Sequence, residues 1–302
     1  MIPPDARGHV VVEVHGILVT VDIDGDPVRC APAPNLDLYP VVGDRVNIVP
    51  PGLPGDPPQV VQVLERTSAL ARLRGDATRR SRDGATEHVL AANIDLAVIV
   101  AAVSRPPFHP RFIDRYMVLA QRGGIDVALC INKCDLGTEL PDLSVYRNLG
   151  LAIVKVSAKD GTGLDDLRAL IAGKTVVFTG HSGVGKSSLV NALFSDELAE
   201  TGDVGGRRGQ GRHTTSRSAL FRIDATTAVV DTPGIRSLSL AGIDKSELID
   251  LFPDLAPFTD RCRFRDCSHD HEPGCGVREA VEAGEAAASR YEIYQRLLTE
   301  DR

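Results

Sequence analysis

No stretch of this 302-residue chain has the uninterrupted apolar length that a membrane span requires. The opening residues, MIPPDARGHV, lack the basic-then-apolar order of a secretory signal. Positive charge is not in excess: 34 lysines and arginines face 41 aspartates and glutamates, a net charge of -7. Bulk electrostatics therefore does not favour nucleic acid. Internal repeats are absent, and the six cysteines are not spread as a disulfide framework. Together these absences predict a soluble, cytoplasmic protein with no membrane partner, read as a monomer. With 43% hydrophobic residues the chain can bury a proper core, and its length suits two or three domains.

What is present is unevenly placed. Cys262, Cys267 and Cys275 crowd into one short stretch with His269, whereas Cys30, Cys130 and Cys134 stand apart as expected buried hydrophobes. Three thiolates and one imidazole make a closed Cys3His set, which suits one structural zinc per chain and leaves no open position for catalysis. His271 competes with His269 as the fourth ligand. Arginines gather at Arg66, Arg72, Arg74, Arg79, Arg80 and Arg82, again at Arg207, Arg208, Arg212, Arg217 and Arg222, and beside the cysteines at Arg261, Arg263 and Arg265. Any one group reads as a solvated face. The three together outline an RNA-phosphate footprint.

The chain divides into four parts by composition. Residues 1–65 carry short β-branched runs separated by glycine and proline, which predicts a small barrel, an OB-fold or an SH3-like barrel by periodicity alone. Residues 66–88 are arginine-rich with little apolar pattern, expected as a linker. Residues 89–240 alternate apolar strands with helices, the pattern of a parallel α/β sheet. Within them the strands are expected at 94–101, 126–132, 152–156 and 175–179, with helices at 110–122, 141–149 and 163–172. Residues 241–302 hold a short helix near 244–252, the cysteine cluster and a helical stretch over 277–298.

Three motifs carry the chemistry. Gly180-His181-Ser182-Gly183-Val184-Gly185-Lys186-Ser187 is a full G-x-x-x-x-G-K-S/T phosphate loop, and Ser188 continues into a helix. Gly183 and Gly185 let backbone N–H groups face the phosphates, Lys186 reaches the β and γ oxygens, and Ser187 is placed to ligate Mg²⁺. Asn132-Lys133-Cys134-Asp135 is NKxD; the Asp135 carboxylate can accept from guanine N1–H and N2–H₂ together, a donor pair that adenine lacks. Ser157-Ala158-Lys159 follows one strand later and suits a main-chain amide behind the base. Asp231-Thr232-Pro233-Gly234 is DxxG, with Asp231 reaching Mg²⁺ through water and the Gly234 N–H meeting the γ-phosphate. The position after it is Ile235, which cannot orient an attacking water as a glutamine would. Between the loop and DxxG lies Gly209-Gln210-Gly211-Arg212-His213-Thr214-Thr215. Thr215, preferred over Thr214, is expected to cap Mg²⁺. His213 is the candidate to position water, with an RNA-facing loop residue as the alternative. The cofactors implied are Mg²⁺ with GTP, and zinc.

The order of these motifs is NKxD, phosphate loop, DxxG, a circular permutation of the usual order. Taken together they resemble the ribosome small-subunit-dependent GTPase A family (RsgA, also called YjeQ). The permuted order, GHSGVGKSS, GRHTT and CRFRDCSHDHEPGC carry the resemblance over nearly the whole chain. It implies a multidomain protein: an N-terminal OB-fold β-barrel, a central permuted α/β P-loop GTPase and a C-terminal zinc-binding helical domain. It also implies the family's zinc ligands at Cys262, Cys267, His269 and Cys275. Its implied function is late maturation of the small ribosomal subunit through its rRNA, with GTP hydrolysed to GDP under stimulation by that subunit. A nucleotide-gated RNA-binding or assembly factor is the alternative. One departure stands out: Asp22, Asp24, Asp26, Asp37, Asp44 and Asp56 make the barrel segment acidic where rRNA contact would want basic residues.

Overall fold

The computed structural model describes residues 8–74, 86–137, 139–201, 218–232 and 245–299. Its first five strands are β1 (His9–His15), β2 (Leu18–Ile23), β3 (Asp26–Pro32), β4 (Arg45–Val49) and β5 (Gln59–Val63). They pair in the order β1-β2-β3-β5-β4, and β4 returns to β1, so the barrel closes. Only the β3–β5 pair is parallel. That order decides for an OB-like barrel over the SH3-like alternative. Val11, Val19, Val21, Cys30, Val46, Ile48 and Val60 fill it. β3 escaped the sequence reading because Pro27 and Pro32 interrupt its apolar pattern.

Residues 66–88, expected as a linker, contain strand β6 (Ala69–Arg74) and the start of β7 (Thr86–Ala92). The two pair antiparallel from Ala69↔Ala92 to Arg74↔Thr86. Arginines masked the alternation, but Leu70, Ala91 and Ala92 are buried. The base of the hairpin is pinned where Ala69 N–H donates to Gly123 O and Ala92 N–H to Val42 O.

The α/β region runs β8 (Leu96–Ala102), α1 (Pro110–Arg122), β9 (Asp126–Asn132), α2 (Ser144–Asn148), β10 (Ala152–Lys155), α3 (Leu164–Ile171), β11 (Thr175–Gly180), α4 (Lys186–Thr201), β12 (Ser218–Arg222) and β13 (Ala228–Asp231). Strand order is β10-β9-β8-β11-β13-β12, with only β12 antiparallel. β8 is buried at every residue because both faces are covered. Ala97, Ile99 and Ala101 pack with α1. Leu96, Val98 and Val100 pack with α3 and α4.

One continuous sheet joins this region to the barrel. A bulge between Val11 and Glu13 turns β1 so that its first residues pair with β4 and its last with β12, as Glu13↔Ala219 and Val14↔Ser218. The Arg222 fork on Asp22, at 2.8 and 3.2 Å, locks the same junction.

The C-terminal part holds α5 (Lys245–Leu248), 3₁₀ turns at Ile249–Leu251 and Ala256–Arg261, α6 (Gly276–Glu282) and α7 (Ala288–Thr299). The single helical stretch expected over 277–298 is therefore two helices. Gly284, at φ +75°, ends α6 in a Schellman motif: Glu285 N–H donates to Ala280 O and Gly284 N–H to Val281 O. α7 then folds back over α1.

Candidate active site and metal centre

Parallel strands carry their chemistry at their carboxyl ends, and here β9, β10, β11 and β13 bring NKxD, Ser157-Ala158-Lys159, the phosphate loop and Asp231 to one edge of the sheet. Gly180 closes β11 so near β8 that a Cβ there would sit 2.3 Å from Val100 O. Gly183 and Gly185 take φ of +83° and +97°, which side chains rarely adopt. α4 starts at Lys186, whose Nζ donates to Gly180 O at 2.7 Å and His181 O at 2.9 Å. The ammonium thus lies across the loop that phosphates would fill. Ser182, Ser187 and Ser188 are exposed at its mouth.

Asn132 ties the site together. It is 1% exposed. Its Nδ2 donates to Val184 O at 2.8 Å, and its Oδ1 accepts from Ala158 N–H at 3.1 Å. One amide therefore bonds both the phosphate loop and the base-side loop. Asp135 Oδ1 accepts from buried Ser157 Oγ at 3.0 Å, and Lys159 Nζ stands 3.7 Å from Oδ2. Lys133, in left-handed backbone at φ +64°, donates to Arg105 O at 2.5 Å. Arg105 gave no sequence signal, since the contact is through its backbone. His109 and Phe112 gave none either, yet their rings lie 6.0 and 5.9 Å from that of His181. His213, Thr214, Thr215, Gly234 and Ile235 lie outside the described residues, as do Arg79, Arg80, Arg82, Arg207, Arg208, Arg212 and Arg217.

Several arginines of the expected footprint have internal work. Arg66 forks onto fully buried Asp44 at 2.7 and 2.8 Å. Arg222 holds Asp22, and Arg261 pairs with Glu285 at 2.8 Å. Two of the acidic barrel residues are thereby neutralised from neighbouring segments.

The ligand atoms of Cys262, Cys267, His269 and Cys275 all lie within 4.8 Å of one another. His269 Nδ1 is 3.4 Å from Cys262 Sγ and 3.6 Å from Cys275 Sγ. A tetrahedral zinc with bonds of about 2.3 Å to sulfur and 2.0 Å to nitrogen has S···N edges of about 3.5 Å. The donor set fits the ion. His271, its side chain 81% exposed and beside Asp270, is outside the cluster, so the geometry groups His269, and not His271, with the three cysteines. Burial pushes the Cys267 and Cys275 thiols up and the His269 imidazole down. A bound dication reverses the thiol shift by favouring thiolate.

A sequence model of the RsgA GTPase family matches residues 63–241. This chain belongs to the RsgA GTPase family. It is 41% identical to the small ribosomal subunit biogenesis GTPase RsgA of Chlorobaculum parvum, over 96% of each chain. With the protein of the same name from Pseudomonas aeruginosa it shares 38% identity over 98% of this chain and 85% of that one. Among solved structures, YjeQ from Thermotoga maritima superposes with TM-score 0.72 at 34% identity, covering 97% and 98% of the two chains. YloQ, described as a circularly permuted GTPase, gives 0.70 at 28% identity over 99% and 96%. As an RsgA-family GTPase the chain is a GTP hydrolase. No described helix is long and apolar enough to cross a membrane.

Proposed function

We propose that this protein is a cytoplasmic, monomeric GTPase of small-ribosomal-subunit maturation, which binds the subunit's rRNA and hydrolyses GTP to GDP when the subunit engages it. The observation that carries the nucleotide part is the pair of hydrogen bonds of Asn132, which ties the NKxD motif to the phosphate loop and to Ala158. Near full-length likeness to proteins named for small-subunit biogenesis supports the ribosomal part. We assign residues 1–65 to the barrel domain, 89–240 to the permuted GTPase domain and 241–302 to the zinc domain. Within the segment expected as a linker, Ala69–Arg74 pairs antiparallel with Thr86–Ala92, so its described ends are strands.

Asp135 reads the guanine edge, and the amide behind Ser157-Ala158-Lys159 backs its carbonyl. Lys186 and the loop N–H groups hold the β and γ phosphates. Ser187, Thr215 and, through water, Asp231 form an all-oxygen donor set suited to Mg²⁺. When bound, that ion neutralises charge developing on the phosphate oxygens. Gly234 N–H meets the γ-phosphate. His213 orients a water whose oxygen attacks the γ-phosphorus; the bond from that phosphorus to the bridging oxygen breaks, leaving GDP and inorganic phosphate. Ile235 cannot supply this orientation, so hydrolysis is slow until the small subunit places His213 at the attacking water. Cys262, Cys267, His269 and Cys275 hold one structural zinc.

Single-turnover hydrolysis with and without small subunits tests this. Subunits are expected to raise the rate strongly. His213→Ala is expected to lower the stimulated rate by about 10²-fold or more while leaving GTP affinity nearly unchanged. Lys186→Ala is expected to weaken binding as well. A wild-type stimulated rate in His213→Ala would return that residue to the RNA-facing loop.

A further inference from the structure

Arg290 is a full positive charge that water does not reach. Its side chain is 1% exposed and that of Asp114 is 0% exposed. Nη1 donates to Asp114 Oδ1 at 2.5 Å, while Nε and Nη2 donate to Asp254 Oδ2 and Oδ1 at 3.0 and 3.3 Å. The Phe252 ring lies 4.7 Å from the guanidinium carbon. Desolvating such a group offsets much of its Coulombic attraction, so apolar side chains of equal volume would hold these elements together as well. What the charges add is direction, because a planar fork donates to its carboxylates in one arrangement only. The two carboxylates belong to different parts of the molecule. Asp114 is on α1 of the nucleotide-binding sheet, and Asp254 precedes the metal loop.

Both sides lead onward. From α7, Tyr291 Oη donates to His269 O at 2.6 Å and Tyr294 Oη to Ser268 O at 2.9 Å, both within the metal loop. On α1, Phe112 packs edge-on against His181 of the phosphate loop. Ile113 and Val184 line one small apolar crevice beside it. An unbroken series of contacts runs from His269 through α7, Arg290 and α1 to His181.

We propose that Arg290 is a positioning residue that couples the phosphate loop to the C-terminal domain. It holds α1 at one height against α7, so a nucleotide that orders His181 and Val184 also tightens α7. Reciprocally, a loosened α7 weakens nucleotide binding by the same factor. The proposal rests on the phosphate-loop reading above.

Hydrogen exchange of the full chain, with and without saturating GDP, tests it. In the wild type, GDP is expected to slow exchange in residues 180–187 and, by about fivefold or more, in α7. The double variant Arg290→Met with Asp114→Leu removes the fully buried pair and leaves Asp254 at the protein–water boundary. It is expected to keep the phosphate-loop protection and lose that of α7. Arg290→Lys keeps the charge without the fork and is expected to lose part of it. Protection of the phosphate loop without protection of α7 in the wild type overturns the coupling, as does full α7 protection in either variant. Absence of protection in the phosphate loop itself would instead refute the nucleotide reading.

Discussion

In the proposed pocket the Asp135 carboxylate is the group that discriminates between bases. Its Oδ1 accepts from Ser157 Oγ, and the Lys159 ammonium stands near its Oδ2. Guanine presents two donors to this carboxylate and adenine presents none in that place, so adenine leaves a charge unpaired at about 1–3 kcal/mol or more. Asp135→Asn is expected to lower GTP affinity by about tenfold or more and to raise affinity for xanthine nucleotides, whose C2 carbonyl accepts from an amide. Competition binding with GTP, ATP and XTP checks this, and equal wild-type affinity for ATP and GTP would end the assignment. Asp135, Lys186 and the cysteines were legible because their chemistry is local and motif-bound. Arg105, Phe112 and Arg290 were not, because their roles depend on who meets them across the fold.

Among elements, the phosphate loop depends on backbone that only glycine adopts with ease. Gly185, at φ +97°, faces Asn132 so closely that a Cβ would lie 2.4 Å from Nδ2. Asn132 cannot swing aside without losing either Val184 O or Ala158 N–H. Gly185→Ala is therefore expected to cost about 1–3 kcal/mol in stability and to weaken GDP binding by about tenfold or more. Denaturant midpoints and fluorescent-GDP titration measure the two effects, and wild-type values for both would show that the bridge is dispensable. Elsewhere, elements departed from their sequence patterns for local reasons. Arginines hid the alternation of β6, and the left-handed Gly284 divided an otherwise continuous helical pattern into α6 and α7.

Over the whole molecule, permutation places Asp231 and DxxG just before the C-terminal domain, and the β1–β12 pairing joins the barrel to the strand that leads into β13 and Asp231. The C-terminal domain is small, and its 3₁₀ turns bury little apolar surface of their own. Under the proposed zinc assignment, a four-ligand metal adds to the folding free energy of this domain. Elemental analysis is expected to find about one zinc per chain. Cys267→Ser is expected to lower the unfolding temperature of this domain by several degrees or more, while guanine-nucleotide binding persists, since the proposed nucleotide motifs follow β9, β10 and β11 and not the metal loop. A metal-free wild type with an unchanged C-terminal melting transition would contradict the assignment.

By itself the sequence determined the local motifs: their permuted order, the phosphate loop and the Cys3His set all follow from residue types at short spacing, where backbone geometry leaves few alternatives. Tertiary structure decided what spacing cannot encode. It closed the barrel in OB order, took His269 over His271, consumed Arg66 and Arg222 in neutralising Asp44 and Asp22, and set Arg290 between Asp114 and Asp254. These outcomes join residues up to 200 positions apart. Each turns on which groups lose water together, a property of the packed interior and not of any local stretch of chain.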